Sequence, residues 1–479
     1  MATHVICIGG SGLRVLRSMV MMLSAGYDVN DDIKAYIIDP HLDSTEYEFV
    51  TGLIKNYQLI HGLGGSRGFF KANLNVNANN PNGMTSISQG TTFGEFIKYN
   101  ELNDSCRQIV DILYNQGNIE NSMDVGFKGH PNVGCVVLQD LVNSEWFNTN
   151  FNNIPDEDRV IIVGSLFGGT GASGIQTIAQ ALNQKNPQLK IAAVTFIPYY
   201  TLEEPKKGVA KDVDSSAWDL KSWAALKYYS QNFQEGRCFG INTFYVIGDS
   251  DTQPIPYDET KQGNKAHFAE LIAVTAIKHF NKVVQNGQGG GTLNPWNFYN
   301  TEWAQNISSD LDKKCWGTDL AEEIKCLANF YAFGKFFMMM REDRFYPVNK
   351  VFYKKISKDN NLIDRFAVLE DFIFSSKENQ DSFVKWLGEM RESKRSFTAV
   401  NTDDVAYDSA CNTFKFSPST PNVVYNGVDT HIDVTMSDYF KTINDAYRKS
   451  LKVKDQTDKV VKFLNMCYDG IAKVNKVNE

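Results

Sequence analysis

Glycine, hydroxyl and acidic residues gather in this chain at spacings suited to holding an anion. The densest set is Arg159–Leu182, RVIIVGSLFGGTGASGIQTIAQAL. Val160–Val163 is a short, apolar, β-branched run, the pattern of a buried parallel strand. Gly168, Gly169, Thr170, Gly171 and Gly174 follow, and from Ile175 the apolar residues Ile175, Ile178, Ala179 and Leu182 recur at helical spacing. Strand, glycine loop and helix in succession aim bare backbone N–H groups and a helix N-terminus at an anion, usually phosphate. Glycine lets the backbone approach where a Cβ would clash, and Thr170 and Ser173 add hydroxyl donors. No Gly-Lys-Ser/Thr follows, so this is not a Walker loop. A branched side chain at Gly169 is expected to lose the anion and leave the fold intact.

A second unit of the same kind opens the chain. His4–Ile8 reads as a strand, Gly9, Gly10, Ser11 and Gly12 follow at once, and Leu13, Leu16, Val20 and Leu23 mark one face of a helix. Arg14, in the first helical turn, either reaches a phosphate or stays on the surface. Ala35–Ile38 is a further strand, ending in Asp39-Pro40. An acid at that position commonly accepts from ribose hydroxyls or holds a metal-bound water; as Asp-Pro it also starts an ordinary turn.

GGTGASG resembles the phosphate-cradling signature of the tubulin/FtsZ superfamily, GGGTG(S/T)G, with Phe167 at the first glycine and Ala172-Ser173 where Ser/Thr-Gly is usual. The resemblance implies GTP or GDP as ligand, with Mg2+ as a possible companion. It also implies a first glycine loop like Gly9–Gly12 and an acid like Asp39 after the second strand. A third loop would lie at GHPNVG, including Gly129, Asn132 and Gly134, with GLGGSRG at Gly62–Gly68 competing for that role. Ala266–Val284 is apolar around nearly its full circumference through Ile277, which marks a helix buried between layers. In this family such a helix joins two domains and its start touches the base. Asn264 and His267 then either recognise guanine or merely begin the helix.

In the same family the loop after the central helix carries Asn-x-Asp-x-x-Asp/Glu and completes the active site of the next subunit. Here that stretch is GTLNPWNFYN, Gly291–Asn300. Asn294 matches the asparagine, but Trp296 stands where the first acid belongs, and Glu302, Asp310 and Asp312 are the nearest substitutes. The resemblance therefore implies nucleotide binding and head-to-tail assembly into filaments or oligomers, with slow or impaired hydrolysis. Two other readings stay open. One is a non-catalytic nucleotide-sensing scaffold. The other is a Rossmann-type dinucleotide enzyme using Gly9–Gly12 and Asp39, which lacks the third fingerprint glycine.

The elements needed to position these residues follow from the pattern of the chain. Further strands read at Lys190–Pro198 and Asn242–Ile247, with helices at Thr92–Tyr114, after Gly134 to about Trp146, and at Trp218–Phe233. Alternating strands and helices predict an α/β fold with a parallel sheet. Residues 1–260 are expected to form the nucleotide-binding domain, with 40–125 enlarged or inserted. Residues 261–285 form the connecting helix, and 286–479 a mixed α+β domain ending in helices. With 479 residues, 42% hydrophobic and 22% charged, the chain can bury a large core. A net charge of -8 argues against broad nucleic-acid binding. The eight cysteines form no CxxC pair, which fits a reducing compartment. No apolar run has the length of a membrane span and no signal peptide opens the chain, so a cytoplasmic protein is expected. Asn and Lys usage fits an AT-rich bacterial genome. The expected partners are further copies of the chain, and other proteins recruited by the enlarged segments.

Overall fold

The computed structural model describes residues 1–41, 44–61, 67–77, 91–123, 126–205, 215–249, 252–257, 263–285, 298–300, 320–341, 360–375, 381–394, 397–400, 405–408, 413–416, 438–439, 441–443, 445–446 and 459–477. Seven parallel strands form its main sheet. These are β1 (Thr3–Ile8), β2 (Asp32–Ile38), β3 (Asn73–Asn77), β4 (Arg159–Ser165), β5 (Lys190–Phe196), β7 (Ile241–Ile247) and β9 (Phe298–Asn300), in the order β3-β2-β1-β4-β5-β7-β9. A small parallel pair, β6 (Tyr200–Leu202) and β8 (Gln253–Ile255), lies beside it, and β10 (Val405–Asp408) and β11 (Thr413–Phe416) form a hairpin.

Successive residues of the central strands point to opposite faces, and both faces are covered. Val5, Cys7, Ile161, Val163, Ala192 and Val194 join one hydrophobic cluster, while Ile6, Ile8, Val160, Ile162, Ile191 and Ala193 join the other. The first face carries α1 (Gly9–Ser24), α2 (Thr45–His61) and the helices of the C-terminal half. The second carries α3 (Pro131–Asn143), α4 (Thr170–Lys185) and α5 (Trp218–Gln234). The α/β class expected from the sequence is the class found.

The central helix is α6 (Phe268–Gln285), with Leu271, Ala273, Val274, Ile277 and Phe280 fully buried. It packs beside α1, which is itself buried along nearly its whole length: of its 16 residues only Gly10 is not. The second half also holds α7 (Ala321–Arg341), α8 (Asn360–Phe374), α9 (Phe383–Glu392) and α10 (Lys459–Val477).

Several elements differ from the sequence expectation. The helix expected over Thr92–Tyr114 is two short helices, Phe93–Phe96 and Asp104–Leu113, separated by a 3-10 turn at Tyr99–Glu101, because Thr92 and Asn103 each cap a new start. The stretch Gly291–Asn300 ends in an edge strand, Phe298–Asn300 pairing with Phe244–Val246. Asn294, Trp296, Glu302, Asp310 and Asp312 lie outside the described residues, as does most of the competing GLGGSRG patch.

Candidate functional site

Strand order decides where the loops meet. From β1 the chain winds outward to β2 and β3, then returns to the other side of β1 as β4. The switch therefore falls between β1 and β4, the place where ligands bind in open α/β sheets, at the carboxyl ends of the strands. Cys7 pairs with Val163 and Ile8 with Ile38, so the residues after Ile8, Ile38 and Ser165 leave the sheet at one edge. Gly9–Gly12, Asp39 and Gly168–Gly171 are brought to that edge by register alone.

Both glycine loops are shorter than their sequences suggest. α1 begins at Gly9 and α4 at Thr170, so Gly10, Ser11 and Gly12, and likewise Gly171, Ser173 and Gly174, are helical. Glycine's weak helix propensity yields here to close packing. A Cβ on Gly12 would lie 2.7 Å from the Cys7 carbonyl carbon, and one on Gly171 would lie 2.6 Å from the Ser165 nitrogen. Each helix thus starts directly on the strand that precedes it.

Of the stretch expected as a third loop, residues 126–130 form a turn and Pro131–Gly134 open a helix. Gly126, Lys128 and Gly129 all have positive φ, at 83°, 44° and 77°, and α3 follows with Pro131 at its first turn. This loop touches the second one: a Cβ on Gly169 would lie 2.9 Å from Phe127 Cβ and 3.0 Å from the Gly129 nitrogen. Gly169 itself has φ −78° and ψ −63°, so close packing, not backbone conformation, requires glycine. A branched residue at Gly169 would strike Phe127 before any ligand, which overturns the expectation that such a change spares the fold. Gly134 lies tightly against Ser173 and Phe127, joining α3 to α4.

Three helix N-termini converge with no side-chain cap: Ile8 before α1, His130 before α3 and Gly169 before α4. The helices starting at Phe93, Asp104, Gln116, Glu145 and Phe383 are capped, by Thr92, Asn103, Asn115, Ser144 and Ser382, whereas α5, after Ala217, is uncapped like the three. The first backbone N–H groups of an uncapped helix lack an intrahelical acceptor and favour an anion. Thr170 stands at the meeting point, its Oγ1 3.4 Å and its Cβ 3.4 Å from where Cβ atoms on Gly126 and Gly9 would be.

Other expected residues have different duties. Ser173 Oγ donates to the carbonyls of Gly169 (2.7 Å) and Thr170 (3.0 Å), so its hydroxyl serves the helix. Arg14 is buried rather than on the surface, and its Nη1 lies 3.6 Å from where a Cβ on Gly10 would be. Its Nε lies 3.0 Å from Glu270 Oε1 and donates to Tyr199 Oη at 3.1 Å, its Nη2 donates to Ser11 and Tyr200, and Glu46 lies 3.5 Å from its Nη1. Burial disfavours the charge, but Tyr199, Tyr200, Glu270 and Glu46 outweigh it and hold the guanidinium protonated. Asn264 donates its backbone N–H to Glu46 (3.1 Å), and the buried His267 accepts the Ala269 N–H at Nδ1 (3.1 Å), capping α6. Asn132 is exposed on the first turn of α3. Asp39 accepts the His41 N–H at 3.0 Å, and burial pushes its carboxyl up to about 7.

Two further residues bear on this edge, Phe167 and Lys221, of which only Phe167 was singled out in sequence. Phe167, in the place of a family glycine, turns onto Trp218 (4.6 Å between ring centres) and Tyr200 (5.9 Å), so its bulk leaves the loop. Lys221 Nζ donates to the Gly129 carbonyl at 2.9 Å. Nothing in sequence separates Lys221 from other lysines on amphipathic helices.

No family model matches the chain, nor does any curated protein. Among solved structures it is similar to CetZ2 from Haloferax volcanii, described as a GTPγS-bound protofilament, with 12% identity, 64% of each chain covered and a TM-score of 0.28. The chain thus matches about 64% of that protein's length. At these values the likeness carries no argument, and what the chain binds must be read from its own loops.

Proposed function

We propose that this chain is a tubulin/FtsZ-like protein that binds a guanine nucleotide between β1 and β4 and assembles head to tail. The observation that carries the reading is the convergence of Gly9–Gly12, Gly126–Gly134 and Gly168–Gly171 on one edge, with three uncapped helix starts. Backbone N–H groups of those turns and the Thr170 hydroxyl would hold the phosphates, and Asp39 would face the ribose. The choice of guanine rests on the motif resemblance. Mg2+ would enter with the nucleotide, held by phosphate and water as is usual for that ion. Among the described residues no group of three His, Cys, Asp or Glu side chains is placed to hold a metal alone, and no helix is long and apolar enough to cross a membrane. Residues 1–260 would be the nucleotide-binding unit, 261–285 the joining helix and 286–479 the second unit.

A heterologous, head-to-tail contact builds open filaments rather than closed rings. The place of Trp296 in the stretch that carries acids in this family supports slow turnover. The dinucleotide alternative shares the strand order, yet it would leave the second and third loops without a role. Nucleotide retention measured in parallel for GTP, ATP and NAD separates the readings. GTP alone is expected to be retained, and retention of ATP or NAD well above GTP would refute the guanine assignment. Sedimentation with GTP and with a non-hydrolysable analogue then tests assembly.

A further inference from the structure

The first turn of α5 carries polar groups that the three loops do not explain. Trp218, Lys221 and Ser222 are spaced i, i+3, i+4 and share one helical face. The Trp218 ring rests on Phe167 and Tyr200, at 4.6 and 5.3 Å between centres, which fixes this turn against the residue preceding Gly168. Trp218 Nε1 and Ser222 Oγ are buried without a hydrogen-bond partner among the described residues, in residues only 5% and 4% exposed. A buried donor left unmet bears its full desolvation cost. Two of them on one face, beside a cradle of glycine loops, point to an acceptor that comes from outside.

Lys221 supplies the charge. Its ammonium holds the Gly129 carbonyl, and the Gly129 nitrogen lies 3.0 Å from where a Gly169 Cβ would be, so the cation reaches the seam between the second and third loops. Arg14, beside the first loop, is paired with Glu46 and Glu270. An ammonium gains more from an ionised phosphate oxygen than from a neutral carbonyl, because charge-assisted hydrogen bonds are roughly twice as strong.

Resting on the nucleotide reading above, we propose that the first turn of α5 is the outer wall of the cradle. Lys221 transfers its ammonium from the Gly129 carbonyl to the terminal phosphate and so distinguishes triphosphate from diphosphate, while Trp218 Nε1 and Ser222 Oγ donate to the bound nucleotide.

Calorimetry with GTP and GDP on the full chain and on Lys221→Gln, Lys221→Arg and Trp218→Phe, with melting curves of each nucleotide-free protein, tests this. Lys221→Gln is expected to weaken GTP by about 10–100-fold and GDP by far less. Lys221→Arg keeps the charge and should restore most of that difference. Trp218→Phe keeps the ring and deletes only the N–H. Binding should fall by roughly 2–10-fold, while the nucleotide-free melting temperature stays level or rises because an unmet donor is gone. Equal weakening of GTP and GDP by Lys221→Gln, or unaltered binding by Trp218→Phe, overturns the proposal and leaves the nucleotide reading standing. Failure of the unmodified chain to bind any nucleotide overturns both.

Discussion

Gly168 and Gly169 are adjacent, share one loop, and should respond very differently to a single methyl group. At Gly169 the new Cβ would sit 2.9 Å from Phe127 Cβ, 3.0 Å from the Phe127 carbonyl carbon and 3.0 Å from the Gly129 nitrogen. Two of these three contacts are backbone and cannot rotate away, so the second and third loops must separate. Overpacking of this kind costs about 1–3 kcal/mol. Removing a glycine from the unfolded chain returns roughly 0.4–1 kcal/mol, leaving a net loss of about 0–2.6 kcal/mol. At Gly168 the only close contact is Ser165 Oγ at 2.8 Å, the end of a short side chain that can change rotamer. Gly169→Ala should therefore lower both stability and nucleotide affinity. Because the shift separates the loops that would cradle the ligand, affinity should drop by about 5–150-fold, as expected for a 1–3 kcal/mol misfit in the bound state. Gly168→Ala should stay within about threefold of the parent. Calorimetry and thermal unfolding of both variants provide the measurement. Comparable affinities in the two would refute the argument that loop-to-loop packing at Gly169 shapes the site.

Three further outcomes are expected. Asp39, raised to about 7 in the fold from an ordinary 3.8, binds its proton more tightly folded than unfolded. Its contribution to stability is thus greatest below pH 4 and declines as pH climbs to 7. Asp39→Asn should remove that decline, and identical pH profiles of melting temperature would contradict it. Asp381 meets the Arg17 guanidinium with both oxygens, at 2.5 and 2.7 Å, while Glu389 holds Arg17 at 2.8 Å. Asp381→Ala should cost near the lower end of the ~3–5 kcal/mol typical of a broken buried pair, and denaturant unfolding showing a loss below about 1 kcal/mol would speak against it. Finally, GTP should be held but turned over slowly, by about 10²–10⁴-fold relative to a site with a positioned acid. Brisk turnover rising steeply with protein concentration would reveal a trans-acting acid, which alanine at Glu302, Asp310 and Asp312 in turn would locate.

What was legible in sequence follows from which interactions are local. β1, β4, β5 and β7 are short apolar runs, and their pattern alone announces buried parallel strands. The ends of α1 and α4 were not legible. Glycine disfavours helix by itself, and only the approach of Gly12 to Cys7 and of Gly171 to Ser165 explains why the helices start early. Arg14 was ambiguous because its partners, Glu46 and Glu270, are 32 and 256 positions away in the chain. Ser173 matched a phosphate-loop pattern, yet its hydroxyl turns back to its own helix, a choice the motif cannot express. Lys221 and Trp218 meet Gly129 and Phe167 across long stretches of chain, contacts that no local pattern announces.

The near-complete enclosure of α1 has a consequence for how the protein is made. Arg17 waits for Asp381, 364 residues further on, and Ser18 for Trp386, 368 residues on. At roughly 5–20 residues per second a ribosome needs about 20–70 s to deliver those partners. Throughout that interval a Met- and Leu-rich segment with two arginines has left the exit tunnel without the surfaces that will cover it. The first helix synthesised is thus among the last to be sealed, and a truncated chain lacking residues beyond about 380 should remain a client of chaperones rather than a smaller folded protein.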